Sequence, residues 1–374
     1  MTKKATKLCM FMGLAIGVVA MGMLIFSPAP VVAKHQYTGT LYVAGMGGHI
    51  AVVDVGIDPS AAKPIAITSI DRIDLGDAAS YPTHDPRIDA KDRNTMYWST
   101  YKKDKAANNQ LHVGKVDLAT KKVTVDKTLS LPEQSTWAGA NYCGSGQSDK
   151  YYLPISMAHE GYIDVIDKKT MELKERVMVS AFHPDKKYKF AHAMNSPDMK
   201  HYYVILNLSP SEGPTKDGWS VTGEFAAYML DMAALEKGEA KVLKKNVIKG
   251  GNAGKTTTFR MYFTADGKYI LQSAANMFLL IDAKTLELVA KENRQAGDNH
   301  DAIPTADSKY AVLTLRAPNP DINTEEKIVD GWVQLYDIEN KKVVGEPTSV
   351  CYACHKDEGY DGKSILCGIE ANWK

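Results

Sequence analysis

The chain has 374 residues, 44% of them hydrophobic and 24% charged. That is enough apolar material for a large core, and it excludes a wholly disordered chain. Lys+Arg is 45 against Asp+Glu 44, a net charge of +1, so the basic field of a nucleic-acid-binding protein is absent and no nucleic-acid partner is expected.

The N-terminus comes first. Lys3, Lys4 and Lys7 are followed by an apolar run at 8–26, a Ser27-Pro28 break, and small residues at Val31-Val32-Ala33. This is the layout of a secretory signal over residues 1–33. The run is also long enough to serve as an uncleaved membrane anchor. Either way the remainder is expected outside the cytoplasm, in the periplasm or a comparable exported compartment. Cys9 falls within the signal.

Residues 34–346 are dominated by a repeat. Alternating apolar stretches end in an aspartate, as in His49-Ile50-Ala51-Val52-Val53-Asp54. The same ending recurs at Asp117, Asp167, Asp231, Asp282 and Asp337, at spacings of 63, 50, 64, 51 and 55. A polar Lys/Thr/Asn turn and another strand follow most of them, which reads as a β-hairpin. A second motif precedes several hairpins. It reads Ser196-Pro197-Asp198, Thr264-Ala265-Asp266-Gly267 and Thr305-Ala306-Asp307-Ser308, each followed by a Tyr-bearing strand. These are tight turns. Each unit thus supplies about four short strands, the signature of a β-propeller blade. Six units are visible, so an all-β propeller of six or seven blades is expected. The first unit lacks a leading strand, which the C-terminus would have to supply to close the ring.

Residues 347–374 carry Cys351-Tyr352-Ala353-Cys354-His355. Cys-x-x-Cys-His is the attachment sequence of c-type haem. Two thiols spaced in this way add to the porphyrin vinyl groups, and the adjacent histidine ligates the iron. One covalent haem c is therefore expected on Cys351 and Cys354, with His355 as proximal ligand. Residues 356–374 contain no Met and no His. The sixth ligand must then come from the propeller or from a partner subunit, or be absent. Met46 and His49, in a Gly-rich loop beside the expected clasp, and His35 are candidates. Cys143 and Cys367 remain for a bridge. Their pairing is not deducible from spacing.

Three histidines lie upstream of turn motifs, His84, His192 and His300, where innermost strands begin. Cys143 and Phe259-Arg260 hold the corresponding places in other units. Three imidazoles in a propeller funnel would suit a metal, a haem or an anionic substrate. His112, His159, His183 and His201 are expected on solvated surfaces. The stretch Gly250-Gly251-Asn252-Ala253-Gly254-Lys255-Thr256 lacks the register of a phosphate loop.

The repeat resembles the propellers with a Tyr-Val-Thr-Asn-type repeat and the cytochrome d1-like propellers of periplasmic redox proteins, over about residues 38–346. That resemblance implies that His84, His192 and His300 serve a second haem or supply the distal ligand. The function expected is an exported monohaem cytochrome that passes electrons to redox partner proteins. Two alternatives stand beside it. One is a haem-dependent oxidoreductase acting on a small nitrogen, sulfur or amine compound in the funnel. The other is the haem-bearing subunit of a membrane-associated complex.

Overall fold

A computed structural model describes residues 36–132, 141–157, 160–213, 220–293, 298–317, 330–354 and 366–374. The expected signal, His35, His159 and His355 lie outside the described residues. Among those described, no helix is long and apolar enough to cross a membrane.

The described chain forms a six-bladed β-propeller of four-stranded antiparallel sheets. The first blade contains β1 (Tyr37–Gly45), β2 (His49–Ile57) and β3 (Ile65–Asp74). The second runs outward as β4 (Thr83–Ile88), β5 (Thr95–Thr100), β6 (Leu111–Asp117) and β7 (Lys122–Leu129). The third is β8 (Tyr142–Gln147), β9 (Tyr151–Ser156), β10 (Tyr162–Asp167) and β11 (Leu173–Met178). The fourth is β12 (Tyr188–Asn195), β13 (His201–Leu208), β14 (Glu224–Asp231) and β15 (Val242–Lys249). The fifth is β16 (Thr258–Phe263), β17 (Tyr269–Ala274), β18 (Met277–Asp282) and β19 (Leu288–Asn293). The sixth is β20 (Asp298–Pro304), β21 (Tyr310–Ala317), β22 (Asp330–Asp337) and β23 (Lys342–Ser349). The innermost strand of the first blade is β24 (Leu366–Trp373), from the C-terminus.

The recurring aspartates explain the hairpins. Asp117, Asp167, Asp282 and Asp337 each end the third strand of a blade. Each accepts a backbone N–H three residues on, from Thr120 at 2.7 Å, Thr170 at 2.9 Å, Thr285 at 2.7 Å and Asn340 at 2.8 Å. These are Asx turns. Asp54 differs, because its carboxylate is taken by the Thr40 and Ser69 hydroxyls at 2.6 and 2.7 Å.

The second motif also repeats as one network. Ser196, Thr264 and Thr305 donate to Asp198, Asp266 and Asp307 at 2.6, 2.6 and 2.9 Å. Each aspartate in turn accepts the N–H of Lys200, Lys268 or Lys309. The residue between is left-handed: Met199, Gly267 and Ser308, at φ 55°, 69° and 56°. Glycine suits this place because a Cβ is strained there, and the other two blades tolerate that strain under the same clamp.

Inner strands are buried on both faces because neighbouring blades cover them. Leu153, Ile155 and Val165 of the third blade pack with Tyr202, Val204 and Tyr228 of the fourth. Outer strands are mostly exposed or half-buried, and lysines such as Lys244 and Lys249 blunt the open edge of β15. The ring closes where Leu41, Val53 and Ile369 meet Val312, Val333 and Leu335. There β24 pairs with β1 from Gly39↔Trp373 to Gly45↔Leu366. The Trp373 indole donates to Pro304 O at 2.8 Å, tying the clasp to the sixth blade.

Two histidines expected on the surface are buried. His183 is 6% exposed and bonds the Tyr228 hydroxyl. His112 is 5% exposed, with its ring nitrogens 2.9 Å from Asp126 and 3.1 Å from Asp104. Strand alternation alone hides this, since the loop carrying Asp104 folds back over the ring. Only a doubly protonated imidazole donates to both carboxylates. Burial lowers the pKa of His112, but the hydrogen bonds to Asp126 and Asp104 outweigh it and raise the value above 6.5. The stabilisation is therefore complete below pH 6.5 and is lost as pH rises through the folded pKa. Thermal unfolding measured across neutral pH should show a falling midpoint on the alkaline side, and His112→Asn should flatten that dependence.

Candidate functional site in the central channel

The six innermost strands, β24, β4, β8, β12, β16 and β20, ring a central channel and each packs on its neighbours. Each has a one-residue irregularity against its partner strand. Pairing skips His84, Cys143 and His300 singly, and passes over 189–190, 259–260 and 367–368 with one residue in excess. A bulge adds a residue, bends the strand and re-aims its side chain. Here it gathers a polar cluster where purely regular strands would continue an apolar alternation.

His84 lies at the centre of that cluster. Its Nδ1 is 3.3 Å from Cys143 Sγ and its Nε2 is 3.0 Å from Cys367 Sγ. Its ring stacks on Tyr101 at 4.0 Å and meets His300 edge-on at 6.0 Å. His300 stacks on Phe259 at 4.5 Å, and Phe259 meets His192 edge-on at 6.0 Å. Arg316 of β21 donates through Nη2 to Cys367 Sγ at 2.7 Å and through Nε to Leu366 O at 2.9 Å. Cys143 and Cys367, left by their spacing for a bridge, carry free thiols on the two sides of His84.

The cluster is dry. Exposure is 4% for His84, 2% for His300 and 0% for His192. Burial, reinforced by the positive charge of Arg260, pushes His192 down to about 3. Burial also drives His84 and His300 well below the ordinary imidazole value, with Arg316 and Arg260 adding to it. All three are therefore neutral imidazoles. Burial raises the Cys143 thiol to about 12. Among the described residues, both nitrogens of His192 and the Nδ1 of His300 lack a hydrogen-bond partner.

Next to this cluster lies a charged belt. Arg87 pairs with Glu370 at 3.1 Å and lies 3.9 Å from Asp85. Arg260 sits 3.6 Å from Asp85 and 3.8 Å from Asp301, beyond hydrogen-bond reach, and among the described residues its three guanidinium nitrogens have no hydrogen-bond partner. Burial raises Asp301 to about 7, opposed by Arg260. Asp301 accepts the N–H of Ile369 at 3.0 Å, and Tyr152 donates to Asp85 at 2.8 Å. Buried charges of this kind persist only when paired and hydrogen-bonded. Arg260 is held here between two carboxylates by charge attraction.

The structure brings His84, His192 and His300 to this channel, with Cys143 and Arg260 from the corresponding positions. Sequence reading did not find Cys367, Asp85, Asp301, Arg87, Glu370 or Arg316 as members. A signal for two of them existed, since a His-Asp pair recurs at 84–85 and 300–301. Cys367 was hidden because its blade is completed from the other end of the chain.

The cysteine motif lies on the connection from β23 to β24. Ser349 Oγ accepts the N–H of Tyr352 at 3.1 Å, and Cys354 N–H bonds Val350 O at 3.0 Å. This helical turn carries Cys351 and Cys354 three residues apart on one face. They are 7% and 2% exposed, in the cluster that includes Val350 and Leu366. Gly331 makes room, since a Cβ there would lie 2.7 Å from Cys351 Sγ. The β1–β2 turn holding Met46, with His49 at the start of β2, is adjacent, because Gly45 pairs with Leu366. His49 is 8% exposed and its Nδ1 lies 3.3 Å from Gly47 O.

Fold and site together define the class: a six-bladed β-propeller with a His–Cys–Arg cluster buried in its channel. No protein-family model and no curated protein matches the chain. Solved structures do. Kuenenia stuttgartiensis hydrazine synthase is 15% identical, with 70% of this chain and 64% of that chain covered at a TM-score of 0.45. This chain thus spans less than two thirds of that one. A protein of unknown function from Bacteroides caccae is 12% identical, with 88% and 98% covered at a TM-score of 0.49.

Gly368 lets the belt form. A Cβ there would sit 2.0 Å from Arg260 Nη1 and 2.3 Å from His84 O. The backbone oxygen cannot yield cheaply. Gly368→Ala should cost about 1–3 kcal/mol by overpacking, read as a lower urea midpoint with an unchanged slope.

Proposed function

We propose that this protein is an exported monohaem c-type cytochrome on a propeller scaffold, passing electrons between redox partners. The observation that carries the reading is the Ser349-capped turn with Cys351 and Cys354 on one face in an apolar setting. That arrangement fits an apolar porphyrin held by two thioethers. His355 would be the proximal ligand, and Met46 or His49 lies on the neighbouring turn. Haem iron, when bound, supplies one-electron transfer at a potential tuned by its axial ligands and burial. The protein's own part is to seat the attachment turn between blades one and six and to keep water from the thiols. Export rests on the 1–33 segment.

A second reading is favoured by Arg260 and His192, whose side-chain nitrogens make no hydrogen bond among the described residues. In it the channel receives a small oxyanion of nitrogen or sulfur, and the haem is the electron port of an oxidoreductase.

One experiment addresses both. The full chain, produced with a c-type haem maturation system, should give one covalent haem per chain in a pyridine haemochrome assay. Cys351→Ser with Cys354→Ser should abolish it. Absence of covalent haem in the wild-type protein would overturn both readings. A spectrum indifferent to nitrite and sulfite favours the carrier, whereas a shift lost in Arg260→Ala favours the oxidoreductase.

A further inference from the structure

We infer that the channel holds a buried site for one thiophilic transition-metal ion, copper or zinc, ligated by His84, Cys143 and His300. This inference does not depend on the haem.

The ligand atoms of these three residues, one from each, all lie within 4.8 Å of one another, and all three residues are buried. They come from three different blades, on β4, β8 and β20. Each is the extra residue of a bulge in its strand. Two imidazoles and one sulfur in a dry site suit soft or borderline ions, and disfavour magnesium and calcium, which require oxygen ligands.

The surroundings complete the argument. A metal-bound histidine usually donates its other N–H to an acceptor that fixes the ring. With His84 Nδ1 beside Cys143, its Nε2 is directed at Cys367 Sγ, 3.0 Å away. That sulfur is itself held by Arg316 at 2.7 Å. Cys367 is therefore a positioning residue. On the other side, among the described residues, His300 presents an Nδ1 with no hydrogen-bond partner, and His192 presents two such nitrogens. An ion bound by the three ligands would give the His300 imidazole a partner in the channel. Buried polar atoms without partners are costly, so the cluster as described is short of one central partner. Neutral imidazoles ligate directly, whereas the thiol gives up its proton on binding, so uptake releases a proton.

The test uses the full chain as purified and cobalt(II) as the probe. Copper and zinc are first quantified separately from iron. The protein is then stripped and titrated with cobalt(II), copper(I) or zinc(II). The expected result is one ion per chain, a sulfur-to-cobalt charge-transfer band in the difference spectrum, and displacement of cobalt by zinc. Cys143→Ser should remove the band, and His300→Ala should weaken binding. Cys367→Ala should weaken it about 10–100-fold while keeping the band, and Cys367→Ser should restore most of the loss. No uptake by the wild-type chain, or a band retained in Cys143→Ser, would overturn the inference. Should the variants fold poorly, X-ray absorption on the loaded wild-type protein decides. Nitrogen at about 2.0–2.1 Å with one sulfur at about 2.3 Å supports the site, and an oxygen-only shell refutes it.

Discussion

The pairing of β24 with β1 is the constraint on which the rest of the molecule depends. It joins the two ends of the described chain in one sheet, from Gly39↔Trp373 to Gly45↔Leu366. Without it the first blade has three strands and no channel edge. With it, Leu41 and Ile369 cover Val312 and Leu335 of the sixth blade, and the ring has no open inter-blade face. The same strand brings Cys367, Gly368 and Glu370 into the channel, where they touch His84, Arg260 and Arg87. Closure and site assembly are thus one event. The cysteine-bearing turn precedes that strand in the chain, so the Cys-x-x-Cys run and the channel strand share a short stretch of sequence.

The channel concentrates an unusual amount of buried polarity. Asp85, Arg87, Arg260, Asp301 and Glu370 are all buried, each within ion-pair reach of at least one other. Breaking one partner of such a set leaves an uncompensated buried charge, which is far costlier than replacing the whole set. The belt therefore gives the ring a specific register as well as a plug. The neutral histidines and thiols beside it form a different environment, in which Arg316 bonds the Cys367 sulfur and, among the described residues, His192 makes no hydrogen bond. Two adjacent layers of opposite character in one channel are consistent with a site that binds, flanked by a layer that holds.

Much of this was legible beforehand. The aspartates at 117, 167, 282 and 337 announce hairpins because a carboxylate one residue before a turn accepts the N–H groups that the turn leaves open. The Ser/Thr-x-Asp clamps mark the turns after β12, β16 and β20 for the same local reason. Because these signals act over three to five residues, they survive in a single sequence, and they gave six units and a missing inner strand. His84, His192 and His300 could be found by counting back from them. His112 and His183 were misjudged as solvated because their partners, Asp104 and Tyr228, reach them through a loop and across a blade boundary.

The sequence by itself determined the strand period, the turn chemistry, the blade number to within one, and a Cys-x-x-Cys-His motif at the end. These follow from local backbone preferences and alternation, which need no knowledge of distant partners. Only the tertiary structure decided which residues meet in the channel. Cys367 and His84 are 283 positions apart in the chain. Their contact exists because radial stacking of six blades converts equivalent positions in each repeat into neighbours around one axis. The bulges that gather those side chains are set by strand register, and register is a property of the paired sheet rather than of either strand alone.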